Sequence, residues 1–160
     1  MDEISYSIIC CYYNEKPLLE KKLNIIVEAL KTLPFKNEII FFDNCSTDGT
    51  IEILKNLEQE NNRNFKFIFN NKNLGKGGSI KQAIAHSNNE YIVIFDMDEY
   101  LVEDLIEGHK IIKSNKEIDF LCGTRIGEKN RFIYKKNLYG VIILTKLINL
   151  LYKTNLTDSA

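Results

Sequence analysis

Three acidic residues stand within four positions of one another, directly after a short apolar run. They are Asp96, Asp98 and Glu99, and the run before them is YIVIF at 91–95. Carboxylates this close repel one another unless solvent or a cation neutralises them. Hard divalent cations such as Mg²⁺ and Mn²⁺ prefer carboxylate oxygens and often keep substrate phosphates in their remaining positions. The cluster therefore predicts a Mg²⁺ or Mn²⁺ site, with a solvated acidic loop as the structural alternative.

A glycine-rich segment, NLGKGGS at 73–79, has the composition of an anion-binding turn. Glycines let backbone N–H groups approach an anion, and a following helix aims its positive end at the turn. Lys76 within this segment offsets phosphate charge. The P-loop pattern is absent, because the glycine spacing and the Lys-Ser/Thr ending do not match it. A plain turn before a helix is the alternative interpretation.

Polar residues also follow two other apolar runs. Tyr13 and Glu15 follow IICCY, and Asp43 and Asn44 follow EIIFF. A carboxylate at a strand end can accept a hydrogen bond from a ribose hydroxyl or a base N–H, and Tyr13 with Glu15 can border a base pocket. The segment 46–48 (STD) has a sufficient structural role as a helix cap.

Apolar periodicity places these motifs on a regular alternation of strands and helices. Short, nearly continuous apolar runs predict buried strands, and apolar residues at helical spacing predict helices. The predicted strands are 4–11, 38–42, 65–69, 91–95 and 118–122, and the predicted helices include 17–33, 102–114 and 139–152. This order is typical of an α/β, Rossmann-like fold with a mostly parallel sheet and helices on both faces. Ligands bind at the carboxyl ends of such strands, so the polar clusters should converge on one edge.

Composition narrows the classes of protein. The chain has 160 residues, 44% hydrophobic and 27% charged, with a formal net charge of −1. These values fit a folded domain and give no basic field for nucleic acid. The four cysteines form no CxxC pair, and the N-terminus lacks a signal peptide, so we expect a cytoplasmic protein. Segment 139–152 is shorter than the roughly 20 residues of a membrane span and predicts an amphipathic helix on a membrane or a missing partner, with a core helix as the alternative.

Five segments in order resemble one family. SIICCYYNE, EIIFFDNCSTDGT, NKNLGKGGSIKQAI, YIVIFDMDEYLVEDL and LCGTR are similar to the family 2 inverting glycosyltransferases with the GT-A fold, and within them to the polyprenyl- or dolichyl-phosphate sugar transferases. The resemblance runs from Tyr6 to the last residue. It implies transfer of a sugar from a UDP- or GDP-linked donor, with inversion and a divalent metal, to a polyprenyl phosphate in cell-envelope glycan synthesis. It also implies contact with the inner face of the membrane.

The resemblance implies a role for each matching position. Lys76 lies near the diphosphate, and Asp96 and Asp98 form the DxD motif, with Asp98 the more direct metal ligand. Asp96 also contacts the donor, and Glu99 supplies an extra metal ligand. The nucleoside is held by Tyr13, Glu15, Asp43 and Asn44, and the catalytic residues are Asp98 and Arg125, with Arg131 also near phosphate. A guanidinium fork suits two phosphate oxygens.

The chain also departs from the family pattern. Cys11 stands where proline is usual, Asn44 stands where a second aspartate is frequent, and the last residues stop within a family motif. We therefore expect a nucleotide-sugar-binding domain over 1–138 and a helix with a truncated acceptor-region motif over 139–160. Two alternatives remain: a donor-binding remnant without turnover, and a nucleotidyltransferase, which would need a glycine- and basic-rich signature after the first strand. No general base is identified, and Asp158 is a distant candidate.

Overall fold

The computed structural model describes residues 4–60, 64–96, 102–115, 117–123 and 135–157. In these residues it contains four strands and five helices. They are β1 (Ser5–Tyr12), α1 (Lys16–Lys31), β2 (Lys36–Asp43), α2 (Thr50–Gln59), β3 (Phe65–Phe69), α3 (Gly75–Ala85), β4 (Tyr91–Ile94), α4 (Val102–Ser114) and α5 (Lys135–Tyr152). The chain divides into two compact units, Met1–Lys116 and Glu117–Ala160, which are described separately.

The strands form one parallel sheet with the order β3-β2-β1-β4. In the central strand, Ile8 lies opposite Ile39 of β2 and Val93 of β4. Parallel neighbours need crossover connections, and the intervening helices supply them. The prediction of an α/β fold with a parallel sheet is confirmed.

Helices cover both faces of this sheet. Alternate residues of β1 and β2 point to opposite faces. One face packs against α1, α2 and α4, and its largest buried side chains include Ile8 and Phe41. The other face packs Ile9 and Phe42 against Ala83 of α3. Burying each large apolar side chain stabilises the fold by about 1.5–3 kcal/mol. The two apolar layers therefore hold the strands, and the loops at their carboxyl ends, in place.

Helix α1 follows the sequence pattern closely. Pro17 stands in its first turn, where the missing N–H costs nothing. The buried side chains are Leu19, Leu23, Val27 and Leu30, one stripe at helical spacing. This stripe fixes α1 directly after the β1 loop that carries Tyr13 and Glu15.

Two sequence predictions differ from the structure. The segment 117–123 forms no strand, and Phe120 there is 82% exposed. An apolar run predicts burial only where another element covers it, so the strand predicted at 118–122 was wrong. Helix α3 begins at Gly75, inside the segment predicted as a turn, because Asn73 accepts a hydrogen bond from its first N–H at 2.8 Å.

Helix α5 lies in the second unit and starts four residues before the predicted helix at 139–152. One side of it is apolar and exposed, including Tyr139, Ile143, Leu147 and Leu150. No helix among the described residues is both long and apolar enough to cross a membrane. The division of function at residue 138 stays a prediction.

Candidate functional site

A pocket of about 340 Å³ lies at the carboxyl edge of the sheet, entirely within the first unit. Its walls come from the loops that follow β1, β2 and β4 and from the first turn of α3. The lining residues are Cys11, Tyr12, Tyr13, Glu15, Leu18, Asn44, Asn73, Gly75, Lys76, Ser79 and Asp96. Five of the predicted site residues, Tyr13, Glu15, Asn44, Lys76 and Asp96, therefore meet in one cavity. This convergence is the one that the strand order predicts.

The pocket contains an ion pair between Lys76 and Asp96. The Lys76 Nζ donates to Asp96 Oδ2 at 2.6 Å, although the two residues are 20 positions apart in sequence. The lysine side chain is 66% exposed and the aspartate 21% exposed. An ion pair this exposed adds little to stability. Its consequence is local, because it holds a cation and a carboxylate side by side at the pocket wall.

The first turn of α3 leaves its backbone open to the pocket. Gly75 has φ +69°, which favours glycine, and a Cβ added at Gly77 would meet nothing within 4 Å. The first N–H groups of a helix have no partner within the helix, and the helix dipole makes this end positive. Together with Lys76, the turn is suited to an anion of the size of a phosphate.

Neutral side chains fasten the β1–α1 loop to the β2–α2 loop. Asn14, at φ +55°, accepts a hydrogen bond from Thr47 N–H at 2.8 Å and donates its own N–H to Ser46 Oγ at 2.9 Å. Glu15 N–H donates to Thr50 Oγ1 at 2.9 Å. These contacts fix the backbone beneath Tyr13 and Glu15 at the pocket edge.

Asp48 ties the same two loops and also supports its own helix. It accepts hydrogen bonds from Lys16 N–H at 3.0 Å and from both the N–H and the hydroxyl of Thr50. Desolvation alone would raise the pKa of this carboxyl, but the hydrogen bonds from Thr50 and Lys16 outweigh it and hold the pKa below its usual value. Asp48 supports the beginning of α2 as expected, while Ser46 instead accepts from Asn14.

Asp43 and Asn44 differ in where they lie. Asp43 is fully buried, does not line the pocket, and accepts from Ser46 N–H at Oδ2 over 3.0 Å. No described residue donates a hydrogen bond to its other oxygen, Oδ1. Asn44 lines the pocket, but its amide is engaged with the α3 entrance through Asn73 and Leu74. The assignment of both residues to the nucleoside stays a prediction.

Cys11 lies in the pocket wall, half-buried beside the ion pair. Burial raises the pKa of its thiol to about 11, the Asp96 charge adds to the rise, and Lys76 opposes it. The thiol is therefore neutral near pH 7 and is neither a nucleophile nor a thiolate ligand. Only the position of Cys11 at the end of β1 could have indicated its place in the pocket.

Comparison with known proteins identifies the family. The model of glycosyl transferase family 2 matches residues 7–158. The chain belongs to glycosyl transferase family 2. An uncharacterized glycosyltransferase of Methanocaldococcus jannaschii is 32% identical over 124 residues, which cover 76% of this chain and 41% of the relative. The abequosyltransferase of Salmonella typhimurium is 37% identical over 112 residues, covering 69% of this chain and 33% of the relative.

A solved structure supports the same fold. The mannosyltransferase of Pyrobaculum calidifontis, in complex with GDP-Man and Mn²⁺, superposes with a TM-score of 0.57 at 25% identity, covering 67% of this chain and 32% of that one. The chain thus spans well under half the length of these family members. The GT-A fold and the membership of glycosyl transferase family 2 are those expected from the sequence.

Four of the residues assigned by the family resemblance, with the candidate base, lie outside the described residues. They are Asp98, Glu99, Arg125, Arg131 and Asp158. Of the predicted metal ligands only Asp96 is described, and within the described part of the chain no group of three His, Cys, Asp or Glu side chains surrounds a common point. Asp96 supplies the hard oxygen that Mg²⁺ or Mn²⁺ prefers.

Proposed function

We propose that this chain binds the nucleotide-sugar donor of a family 2 glycosyltransferase and transfers the sugar with inversion. The observation that carries the proposal is the pocket where Lys76 and the open first turn of α3 face Asp96. A nucleoside diphosphate needs both features: donors and a cation for its phosphates, and a carboxylate beside them for a metal. The donor is UDP- or GDP-linked.

Each wall of the pocket takes one part of this donor. Lys76 and the α3 backbone bind the diphosphate, while Tyr13 and Glu15 border the nucleoside. The ring of Tyr13 is 47% exposed and is available for stacking on a base. The assignment of Asp43 to the nucleoside rests on the family resemblance, since its Oδ1, which no described residue satisfies, belongs to a residue that does not line the pocket.

Asp96, Asp98 and Glu99 would hold Mg²⁺ or Mn²⁺ at the same edge. A cation held there would neutralise the negative charge that builds on the diphosphate as it leaves. The oxygen of Asp96 fits such a cation, and the Pyrobaculum relative is seen with Mn²⁺. Lys76 would then have a different partner in each state of the pocket. It pairs with Asp96 when the pocket is free and can turn to a phosphate oxygen when donor is bound.

The acceptor we propose is a polyprenyl phosphate, bound with the help of Arg125 and Arg131. The acceptor oxygen attacks the anomeric carbon as the bond to the diphosphate oxygen breaks, so the nucleoside diphosphate leaves with the bonding electrons. A phosphate oxygen is already ionised near pH 7, so this step needs no general base. The exposed apolar side of α5 supports contact with the inner face of a membrane, where a lipid-linked acceptor of envelope glycan synthesis would lie.

The second candidate function is that of a donor-binding piece without turnover of its own. It would use the same pocket and the same Lys76–Asp96 pair for the donor.

The test is a thermal-shift screen of the chain with UDP, GDP, CDP and dTDP, each with and without Mn²⁺. A ligand at about 100 times its dissociation constant adds roughly 2.7 kcal/mol of stability, which raises the melting midpoint by several degrees. Mn²⁺ alone is the control for stabilisation by the metal. A metal-dependent shift from one base supports the proposal. No shift from any nucleotide, in a chain that melts cooperatively, refutes donor binding.

Turnover separates the two candidate functions. Polyprenyl phosphate is added to the chain with the matching nucleotide sugar and Mn²⁺, and released nucleoside diphosphate is measured. Release that depends on the lipid phosphate supports the transferase. Donor binding without release supports the donor-binding piece.

A further inference from the structure

The side chain of Asn44 joins the end of β2 to the beginning of α3. Its Oδ1 accepts a hydrogen bond from Leu74 N–H at 3.0 Å, and its Nδ2 donates to Asn73 Oδ1 at 2.8 Å. Asn73 Oδ1 also accepts from Gly75 N–H at 2.8 Å. Asn44 is only 3% exposed, whereas Asn73 and Gly75 are exposed, so the Asn44 end of this set of bonds is withdrawn from bulk water and the Gly75 end is not. We call the two residues Asn44 and Asn73 the amide clamp.

The orientation of both amides is determined by the backbone. Leu74 N–H and Gly75 N–H can only donate, so the atoms facing them must be oxygens. This places Asn44 Oδ1 against Leu74 and Asn73 Oδ1 against Gly75, and it leaves Asn44 Nδ2 as the group that faces Asn73. The polarity of the clamp is therefore fixed: position 44 must both accept and donate, whereas position 73 needs only to accept.

The clamp holds the part of α3 that meets the ligand in the proposed function. Leu74 precedes the helix, Gly75 is its first residue, and Lys76 follows with its Nζ 2.6 Å from Asp96. Gly75 and Gly77 have no side chains with which to anchor this turn. A shift of the turn would move both the open N–H groups and the Lys76 backbone.

We propose that Asn44 and Asn73 are positioning residues that set the first turn of α3, and with it Lys76, for the diphosphate. This inference rests on the proposed function and refines it, because the Asn44 side chain acts through the turn rather than on the donor. It makes a prediction that charge alone does not make: aspartate at 73 is compatible with the clamp, and aspartate at 44 is not.

Two substitutions add the same charge at neighbouring points but differ in hydrogen bonding. In Asn73→Asp the new carboxylate still accepts from Asn44 Nδ2 and from Gly75 N–H. In Asn44→Asp a carboxylate oxygen replaces the donor that faces Asn73 Oδ1. Two facing acceptors repel, so Asn73 must turn its amide, and Gly75 N–H loses its acceptor.

The experiment measures the affinity of the full 160-residue chain for the stabilising nucleoside diphosphate with Mn²⁺ by calorimetry. Both variants lose some affinity through the added negative charge. We expect Asn44→Asp to lose roughly five- to tenfold more than Asn73→Asp, which corresponds to one displaced hydrogen bond. The matching nucleoside monophosphate, which lacks the second phosphate, should discriminate less between the two variants.

A double-mutant cycle distinguishes positioning from a general structural defect. Lys76→Met is made in the wild-type chain and in Asn44→Asp, and a positioning role predicts that the two losses are not additive. If Asn44→Asp does not fold, Asn44→Ala takes its place in the cycle, because it removes the bond to Asn73, and the bond from Leu74 N–H as well, without adding charge. Additive losses in the folded variants would overturn the inference.

The outcomes separate the inference from the function on which it rests. Wild-type binding with equal losses in Asn44→Asp and Asn73→Asp refutes the inference alone. A wild-type chain that binds no nucleoside diphosphate refutes the proposed function and the inference with it. Unequal losses that depend on Lys76 support both.

Discussion

Replacing Lys76 by methionine should weaken nucleotide binding far more than it weakens the fold. The side chain is 66% exposed and forms an ion pair with Asp96, which is 21% exposed. Removing an ion pair this accessible changes the free energy of unfolding by less than about 1 kcal/mol. Methionine keeps most of the length of lysine and its tendency to form helix, so the beginning of α3 should be preserved.

The loss in binding follows from the charge. A hydrogen bond between a charged donor and a charged acceptor contributes about 1.5–3 kcal/mol, which corresponds to roughly a ten- to 150-fold rise in the dissociation constant. Full Coulomb attraction at 4 Å, about 4 kcal/mol at an effective dielectric of 20, sets the upper limit. Calorimetry with the nucleoside diphosphate and Mn²⁺ measures the change, and urea unfolding measures stability in the same samples.

A matched control lies on the same helix. Lys81 is exposed on α3 and does not line the pocket. Lys81→Met removes the same charge and should change the dissociation constant less than about twofold, a screened effect at distance. Equal losses in the two variants would mean that only net charge matters, and that outcome refutes the assignment of Lys76 to the diphosphate. Recovery of affinity in Lys76→Arg would support it.

Three further predictions concern other parts of the first unit. The Cys11 thiol, with its pKa raised to about 11, should resist alkylation at pH 8 and react only as the pH approaches 11. Mass spectrometry measures the labelling, and rapid labelling at pH 8 would contradict the neutral state of the thiol. Gly78→Ala should lower the free energy of unfolding by about 1–3 kcal/mol, because the added Cβ would lie 2.6 Å from Leu74 Cβ. Gly77→Ala is the control, since a Cβ there meets nothing within 4 Å. Equal urea midpoints in the two variants would refute the clash. Burial, and secondarily Lys113, lowers the pKa of His109 below 6.5, so the folded state binds fewer protons there and stability is full above pH 6.5 and falls as the pH drops through the lower, folded-state pKa. Urea unfolding between pH 7 and 5 checks this, and His109→Gln should remove that part of the pH dependence.

The elements that were predicted well are those whose pattern is local. The period of Leu19, Leu23 and Leu30 gave α1, and α4 lies at Val102–Ser114, within the bounds predicted for it. Apolar runs after loops gave the four parallel strands, and the rule for parallel sheets then gave the edge where the polar residues meet. Nothing beyond neighbouring residues was needed for these inferences.

The parts that were not predicted depend on contacts distant in sequence. The clamp joins residues 29 positions apart, and Asn14 joins its loop to Thr47 over 33 positions. No period or local propensity encodes such hydrogen bonds. The segment 118–122 was predicted as a strand from its apolar composition alone. A strand also needs a neighbouring strand to pair with, and composition does not show whether one is there.

The residues that hold the pocket together differ from the residues that can act on a ligand. Most of the side chains that hold the three loops together are neutral, among them Asn14, Asn44 and Asn73, and the Asp48 carboxylate adds hydrogen bonds to backbone N–H groups and to Thr50. Two opposite charges in the wall, Lys76 and Asp96, pair with each other. Neutral hydrogen bonds respond little to ionic strength, whereas attraction between exposed charges is screened over about 10 Å at 0.1 M salt and about 3 Å at 1 M.

Salt should therefore weaken ligand binding without loosening the pocket. Raising NaCl from 0.05 to 0.5 M should increase the dissociation constant for the nucleoside diphosphate several-fold in the wild-type chain and less in Lys76→Met, because the variant lacks the charge being screened. Tm measured without nucleotide should change little over the same range. Parallel salt dependence of binding in the two proteins would show that Lys76 does not meet the phosphates. A large fall in Tm with salt would instead mean that charges, rather than the asparagine contacts, hold the three loops.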